Sequence, residues 1–306
     1  MARERNSSKP LTKAVFPVAG LGTRFLPMTK AIPKEMLCLV DRPLIQYGVE
    51  EAVSAGFKEV LFITGRGKSA IEKYFDFSPD FELLLRQKGN RRAMADIKRV
   101  SDHIHFCYTR QKDPRGLGHA ILCAKNIIGQ EAFAVLLGDE VIVSRQPVIS
   151  QLLDVHQEFG GTVVAVQRVD KKELSNYGVI AGRPLGGGVH QLEDLVEKPT
   201  AAKAPSQLAV VGRYVLSPGI FEAIACTRPG KNREIQLTDA LKLLLAEEPV
   251  YALEIRGDRY DAGTIMGLLK ANVALALKHP EFRQEMHRYL ADLGLIRAPA
   301  DNHRRG

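Results

Sequence analysis

GLGTRFLPMTKAIPKEML, residues 20–37, follows a short apolar run, AVFPVA at 14–19, that reads as a buried strand. The glycines let the backbone turn sharply and leave bare N–H groups above the strand end. Arg24, Lys30 and Lys34 follow. Pro27 and Pro33 interrupt any helix between them, so the three charges need not lie along one face. A glycine bend with cations at irregular spacing suits a polyphosphate ligand. Two look-alikes fail. The dinucleotide fingerprint G-x-G-x-x-G would need glycine at Phe25, and the P-loop ending Gly67-Lys68-Ser69 has Phe62 in place of its first glycine. Gly65–Ser69 therefore reads as an ordinary strand-to-helix turn.

Outward from this loop, apolar runs alternate with amphipathic stretches. Strands are expected at 13–19, 59–64, 104–109 and 133–138, and helices at 43–55, 68–75 and 118–127. The alternation predicts an α/β fold: a Rossmann-like, mainly parallel mixed sheet flanked by helices. A helix at 147–159 and strand 162–169 continue it. Segments 177–181, 189–196 and 209–216 predict a small antiparallel β elaboration over the cleft. Helix 237–247, strand 250–255, helix 264–278 and a last helix near 281–293 complete the pattern. In such sheets ligands sit beyond the carboxyl ends of the strands, which puts the GLG loop and Asp139 on one rim. The expected organisation is a disordered polar tail at 1–10, a single domain at 11–280 and a C-terminal helix and tail at 281–306.

With 306 residues, 45% of them hydrophobic, the chain has ample material for one large core. No apolar run reaches the length of a membrane span and no signal peptide opens the chain, so a soluble, cytoplasmic protein is expected. Cys38, Cys107, Cys123 and Cys226 lack C-x-x-C spacing and predict buried free thiols. The net charge of +8 and the basic positions Arg86, Lys88, Arg91, Arg92, Lys98 and Arg99 raise a nucleic-acid reading. No aromatic residues interleave with them, so a solvated face that draws anionic nucleotides is the reading adopted, with no nucleic-acid partner and no membrane.

The loop resembles the signature G-x-G-T-R-x-x-P-x-T-K-x-x-P-K-x-x-L of the sugar-nucleotide pyrophosphorylase superfamily, in its glucose/uridine branch. The likeness continues through TGRGKSAIEKYF (64–75), RQKDPRGLGHAI (110–121), LLGDE (136–140), NYGVI (176–180), EKP (197–199), VGRYVL (211–216), EIQLTDA (234–240) and YDAGT (260–264). Met28 and Cys38 depart from the usual alanine and proline, and Glu140 stands where aspartate is frequent. The resemblance implies a nucleotidyltransferase fold and transfer of a uridylyl group from UTP to glucose 1-phosphate, giving UDP-glucose and diphosphate. A sister enzyme using dTTP or another sugar 1-phosphate is the alternative, and a non-catalytic nucleotide-sugar sensor is a third reading. It also implies a homodimer or homotetramer.

By the same resemblance, Gly20, Gly22 and Thr23 line the nucleotide phosphates, and Arg24 and Lys34 neutralise charge during transfer. Gln111 reads uracil, with Ala19, Gly20 and Gly116 fixing the pattern through backbone groups and Glu35 contributing to the nucleoside pocket. Glu197 and Lys198 take the sugar phosphate, and Gly178 lets the backbone approach the sugar. Asp139 and Asp261 hold Mg2+, a cation that takes one or two carboxylates alongside phosphate oxygens. Each has a plainer reading: Arg24 and Lys34 as surface ion-pair partners, Asp261 as a helix N-cap, Glu197–Lys198 as an exposed ion pair, His119 as a structural residue near a helix start.

Overall fold

Runs rich in Val, Ile and Phe suit a pleated sheet buried on both faces, and they build it here. The computed structural model describes residues 10–76, 78–89, 100, 103–230 and 233–296. Nine strands form the main sheet: β1 (Lys13–Pro17), β2 (Glu59–Thr64), β3 (His105–Arg110), β4 (Phe133–Leu136), β5 (Thr162–Arg168), β6 (Gly178–Gly186), β7 (Val189–Glu197), β8 (Leu208–Leu216) and β9 (Val250–Glu254). Their spatial order is β3-β2-β1-β4-β8-β5-β9-β7-β6. The first four are parallel, β8 runs antiparallel between β4 and β5, and β6 and β7 form an antiparallel edge.

Alternate side chains face opposite cores, as the two-residue period of a strand requires. Val15, Leu61, Ile63 and Val135 pack on one side against Ile121, Phe221, Ile224 and Leu241 of the helices Leu117–Leu122, Ile220–Cys226 and Leu237–Leu244. Phe16, Val60, Phe62 and Leu136 pack on the other against Ile45, Val49, Ile71 and Leu152 of the helices Leu44–Ser54, Ser69–Phe75 and Val148–Phe159. A third, smaller cluster lies under the signature loop. It joins Phe25, Leu37 and Leu39 to Val141, Ala262, Ala271 and Leu275, the last two from helix Ile265–Ala276.

Several expectations change. The three later β segments are antiparallel, but they join the main sheet. The helix expected at 118–127 is two short ones, Leu117–Leu122 and Lys125–Ile128. Helix Pro79–Gln87 and an antiparallel ribbon pairing Glu140–Val143 with Asp258–Asp261 were not foreseen. The cysteines are free, but none is buried: Cys38 and Cys226 are exposed on a two-residue strand and at a helix end, and Cys107 and Cys123 are half-buried. Residues 1–9 of the expected N-terminal tail, the basic positions Arg91, Arg92, Lys98 and Arg99, and residues 297–306 of the C-terminal tail lie outside the described residues.

Arg213, in the middle of β8, is fully buried. Its guanidinium donates to Glu51 Oε2 at 2.9 Å and to the carbonyls of Leu137 (3.3 Å), Gly212 (3.0 Å) and Glu140 (2.9 Å). Glu51 also accepts from the Ile149 N–H at 3.0 Å. Removing one partner of such a pair leaves a buried charge uncompensated, which costs about 3–5 kcal/mol. Arg213→Met is expected to lower the unfolding free energy in urea by that amount; a loss under about 1 kcal/mol would contradict this account.

Candidate functional site

The parallel strands β1, β2, β3 and β4 end on the same rim at Pro17, Thr64, Arg110 and Leu136. The signature loop, Gln111 and Asp139 therefore leave the sheet side by side. Two adjoining cavities open there. The larger, of about 560 Å³, is lined by Ala19, Gly20, Gly22, Thr23, Arg24, Lys34, Glu35, Gln111, Gly116 and Asp139 among others. The smaller, of about 220 Å³, is lined by Gly178, Glu197, Asp261, Asn176, Tyr177 and Thr238, together with Arg24, Asp139 and Lys198. Arg24, Leu117, Leu137, Asp139, Lys198 and Gln236 line both. Every candidate residue thus borders one cavity or the other. Lys30 lines neither.

The loop's turn depends on Gly22, which adopts φ +66° where a side chain would also press on Thr29 and Lys34 at 3.1–3.2 Å. Thr29 Oγ1 and the Phe25 N–H both donate to its carbonyl. Gly116 at φ +95° lies so close to Ile235 O that a Cβ would sit 2.8 Å from it, which brings the loop carrying Glu234 and Gln236 against the cavity.

Lys34 Nζ donates to Asp139 Oδ2 at 2.6 Å. Burial disfavours the charge on each, but their attraction outweighs it: the Asp139 carboxyl is held below the ordinary aspartate range, helped by Arg24, and the Lys34 ammonium is held above its own. Behind them Lys68 Nζ donates to Glu35 Oε2 at 2.7 Å, and both side chains are buried. Burial pushes the Glu35 carboxyl up, against the pull of Lys68 and Lys34. Arg24 is exposed in the cleft and has no ion-pair partner among the described residues.

Asp261 reaches this rim through the ribbon, which sets it opposite Glu140. Arg259 forms a two-pronged ion pair with Glu140, stacks over the Tyr177 ring at 4.9 Å and lies 3.7 Å from Asp261. Tyr177 OH donates to Asp261 Oδ2 at 3.3 Å. Asp261 does not cap the following helix; Thr264 does, accepting from the Gly267 N–H. A Cβ on Gly263 would lie 3.0 Å from Asp139 Oδ2 and 3.0 Å from Asp261 Oδ1, so the two carboxylates face each other across that glycine. The donor set is oxygen only and dianionic, which fits a hard divalent cation that also takes phosphate oxygens and water. Among the described residues no third His, Cys, Asp or Glu joins them.

Glu197, the last residue of β7, pairs across the ladder with Gly178, the first of β6. Lys198 follows with φ +45°, bonded through its N–H to Tyr177 O and 3.0 Å from Glu197. A non-glycine residue in that region costs about 1–3 kcal/mol and turns Lys198 toward both cavities. Gln111 Nε2 donates to Gly116 O at 3.2 Å and lies 2.8 Å from His119 Nδ1.

Sequence reasoning missed Lys68, Arg213, Tyr177 and Arg259. Lys68 stands in a turn that fails the P-loop pattern, so no motif marks it. Arg259 sits two residues before a candidate ligand, the one available hint.

The nucleotidyl transferase family matches residues 13–278. A UTP–glucose-1-phosphate uridylyltransferase of Bacillus subtilis is 48% identical over 93% of this chain and 96% of its own length. One from Staphylococcus epidermidis is 44% identical over 94% and 100%. Among solved structures, a UDP-glucose pyrophosphorylase complexed with UDP-glucose matches with a TM-score of 0.83 and 44% identity, covering 88% of this chain and all of that one. A UTP-bound enzyme from Acinetobacter baumannii matches with a TM-score of 0.86 and 39% identity, covering 93% of this chain and all of that one.

Because the folded-state pKa of Asp139 is depressed, the pair stabilises the fold above the unfolded aspartate value of about 3.9 and that gain is lost as pH falls further. Urea unfolding from pH 7 down to pH 3 is expected to show a smaller loss of stability in Lys34→Met than in the unmodified chain. Equal slopes would mean that Lys34 does not depress Asp139.

Proposed function

The chain belongs to the nucleotidyl transferase family, and from that premise we propose that it transfers a uridylyl group from UTP to α-D-glucose 1-phosphate, giving UDP-glucose and diphosphate. The observation that carries this reading is the shared wall: two cavities, one floored by the glycine loop, meet at Arg24, Asp139 and Lys198. That arrangement suits two phosphorylated substrates reacting where their chambers join.

In the reaction a phosphate oxygen of glucose 1-phosphate attacks the α-phosphorus of UTP. The new P–O bond forms as the bridge to the β-phosphorus breaks, and its electron pair leaves on diphosphate. The attacking phosphate has a second pKa near ~6 and is already ionised at neutral pH, so no general base is required. Alignment and charge neutralisation carry the catalysis. Gly20, Gly22 and Thr23 cradle the triphosphate, Arg24 meets it with its positive charge, and Lys34 arrives fully protonated because Asp139 keeps it so. Asp139 and Asp261 would hold Mg2+, which when bound neutralises triphosphate charge and orients the α-phosphate. Gln111, with backbone groups of Ala19, Gly20 and Gly116, reads the base, and Glu35 supports the same pocket. Glu197 accepts from sugar hydroxyls, Gly178 admits the ring, and Lys198 meets the sugar phosphate.

Exposed Ile265, Met266, Leu269 and Val273 along one helix support assembly of this chain into a homo-oligomer. No helix among the described residues is long and apolar enough to cross a membrane.

Diphosphate release across a panel of nucleoside triphosphates and sugar 1-phosphates is expected to be fastest with UTP and glucose 1-phosphate; preference for dTTP or a 2-acetamido sugar would displace this reading. Lys34→Ala is expected to slow turnover by about 10²–10³, and near-normal turnover would remove Lys34 from the mechanism. Gly263→Ala inserts a methyl between the two aspartates, so its Mg2+ requirement is expected to rise roughly 10- to 100-fold with little change in melting temperature.

A further inference from the structure

The amide of Gln111 can be held in only one orientation. A backbone carbonyl accepts and never donates, so the contact with Gly116 O at 3.2 Å must come from the amide NH2. The flipped side chain would set two carbonyl oxygens against each other. With Nε2 placed there, the 2.8 Å contact to His119 Nδ1 must be a donation from the second amide hydrogen. His119 Nδ1 is then the bare nitrogen of a neutral ring whose proton sits on Nε2. Both amide hydrogens are engaged by protein. Oε1 meets no donor among the described residues, and Gln111 lines the larger cavity.

The frame around this contact is rigid and local. His119 lies in helix Leu117–Leu122, whose Gly118 N–H donates to Ile235 O at 2.9 Å. Cys123 Sγ donates to the His119 carbonyl. Burial holds the imidazole below its ordinary pKa, Arg115 acts in the same direction and Asp113 opposes them, which keeps the ring in its accepting form at neutral pH.

We propose that His119 is a specificity-determining positioning residue: by accepting from Gln111 Nε2 it locks the amide oxygen toward the nucleobase, so that the site takes a pyrimidine with an N3–H and rejects cytosine. The inference rests on the reading above that Gln111 faces the base. Uracil and thymine donate from N3 to the waiting oxygen. Cytosine presents a lone pair at N3 and leaves two acceptors facing each other, worth roughly ten- to a hundredfold in binding. Without the histidine acceptor, the amide keeps only its Gly116 contact and turns more freely. A rotated amide offers cytosine a donor.

Initial-rate kinetics with UTP, CTP and glucose 1-phosphate test this on the full chain. His119→Phe keeps a ring and removes the acceptor. It is expected to raise KM for UTP about tenfold, leave KM for glucose 1-phosphate unchanged and lower the UTP-to-CTP ratio of kcat/KM about tenfold or more. His119→Asn offers an oxygen close to where Nδ1 stands and is expected to keep the ratio. Gln111→Ala, run in parallel, should abolish the preference. If Gln111→Ala abolishes it while His119→Phe keeps it, the role given to His119 is wrong and the reading of Gln111 stands. If Gln111→Ala keeps it, that reading fails and takes this inference with it. His119→Asn behaving like His119→Phe would also overturn the acceptor role. The unmodified chain supplies a check that needs no variant to fold: it is expected to reject 3-methyl-UTP, which lacks the N3–H, and ready use of that nucleotide would sink the proposed orientation.

Discussion

Two buried guanidinium groups hold the turn between Leu137 and Glu140, and the cleft is organised around that turn. Arg213 takes the carbonyls of Leu137 and Glu140 from beneath, while Arg259 takes the Glu140 carboxylate from the side. Between these fixed points stands Asp139, whose own carbonyl accepts from the Ala262 N–H at 2.9 Å. Arg213 is anchored in turn by Glu51 on the first long helix, and Arg259 is carried by the ribbon that ends at Asp261. Helix, central strand and ribbon are thus tied to one turn by charge-assisted hydrogen bonds, which are shorter and stronger than neutral ones. Their value is in position more than in stability, since a buried ion pair is weak evidence for stability in itself.

The charges inside the cleft are arranged before any ligand arrives. Lys34 with Asp139 and Lys68 with Glu35 form two ion pairs side by side, and Arg24, without an ion-pair partner among the described residues, stands at the junction of the cavities. Preset dipoles and charges need little reorganisation when a polyanion binds, the condition under which electrostatic stabilisation is most effective. The small apolar cluster of Phe25, Leu37, Val141, Ala262 and Leu275 supports this arrangement, because the first four lie within two residues of the cleft residues Arg24, Glu35, Glu140 and Asp261.

Much of this architecture is legible in the sequence, for specific reasons. The strands of the main sheet announce themselves through Val, Ile and Phe runs, and most of their ends fall within two residues of the expected positions. The GLG loop and Asp139 could be read because they directly follow strand ends, whereas Gln111, Gly178, Glu197, Lys198 and Asp261 came through the family resemblance alone. The ribbon could not be: Asp258–Asp261 is polar, four residues long, and pairs with a segment more than a hundred residues earlier. Arg213 gives no signal in VGRYVL because its partner Glu51 lies on another element, and burial cannot be inferred until both are placed. Cys38 and Cys226 are exposed, and spacing in sequence does not say which face of an element a side chain occupies. Lys68 carries no local signal either: its partner Glu35 lies 33 residues earlier, on the signature loop.

The partition between the two chambers has an evolutionary corollary. Six side chains form the common boundary, whereas Gln111 and Gly116 border one compartment alone and Gly178, Glu197 and Thr238 border the other alone. Divergence toward a new base or a new sugar can therefore proceed on separate surfaces while the boundary stays unchanged. A lineage could exchange either half of its product without redesigning the chemistry that joins them.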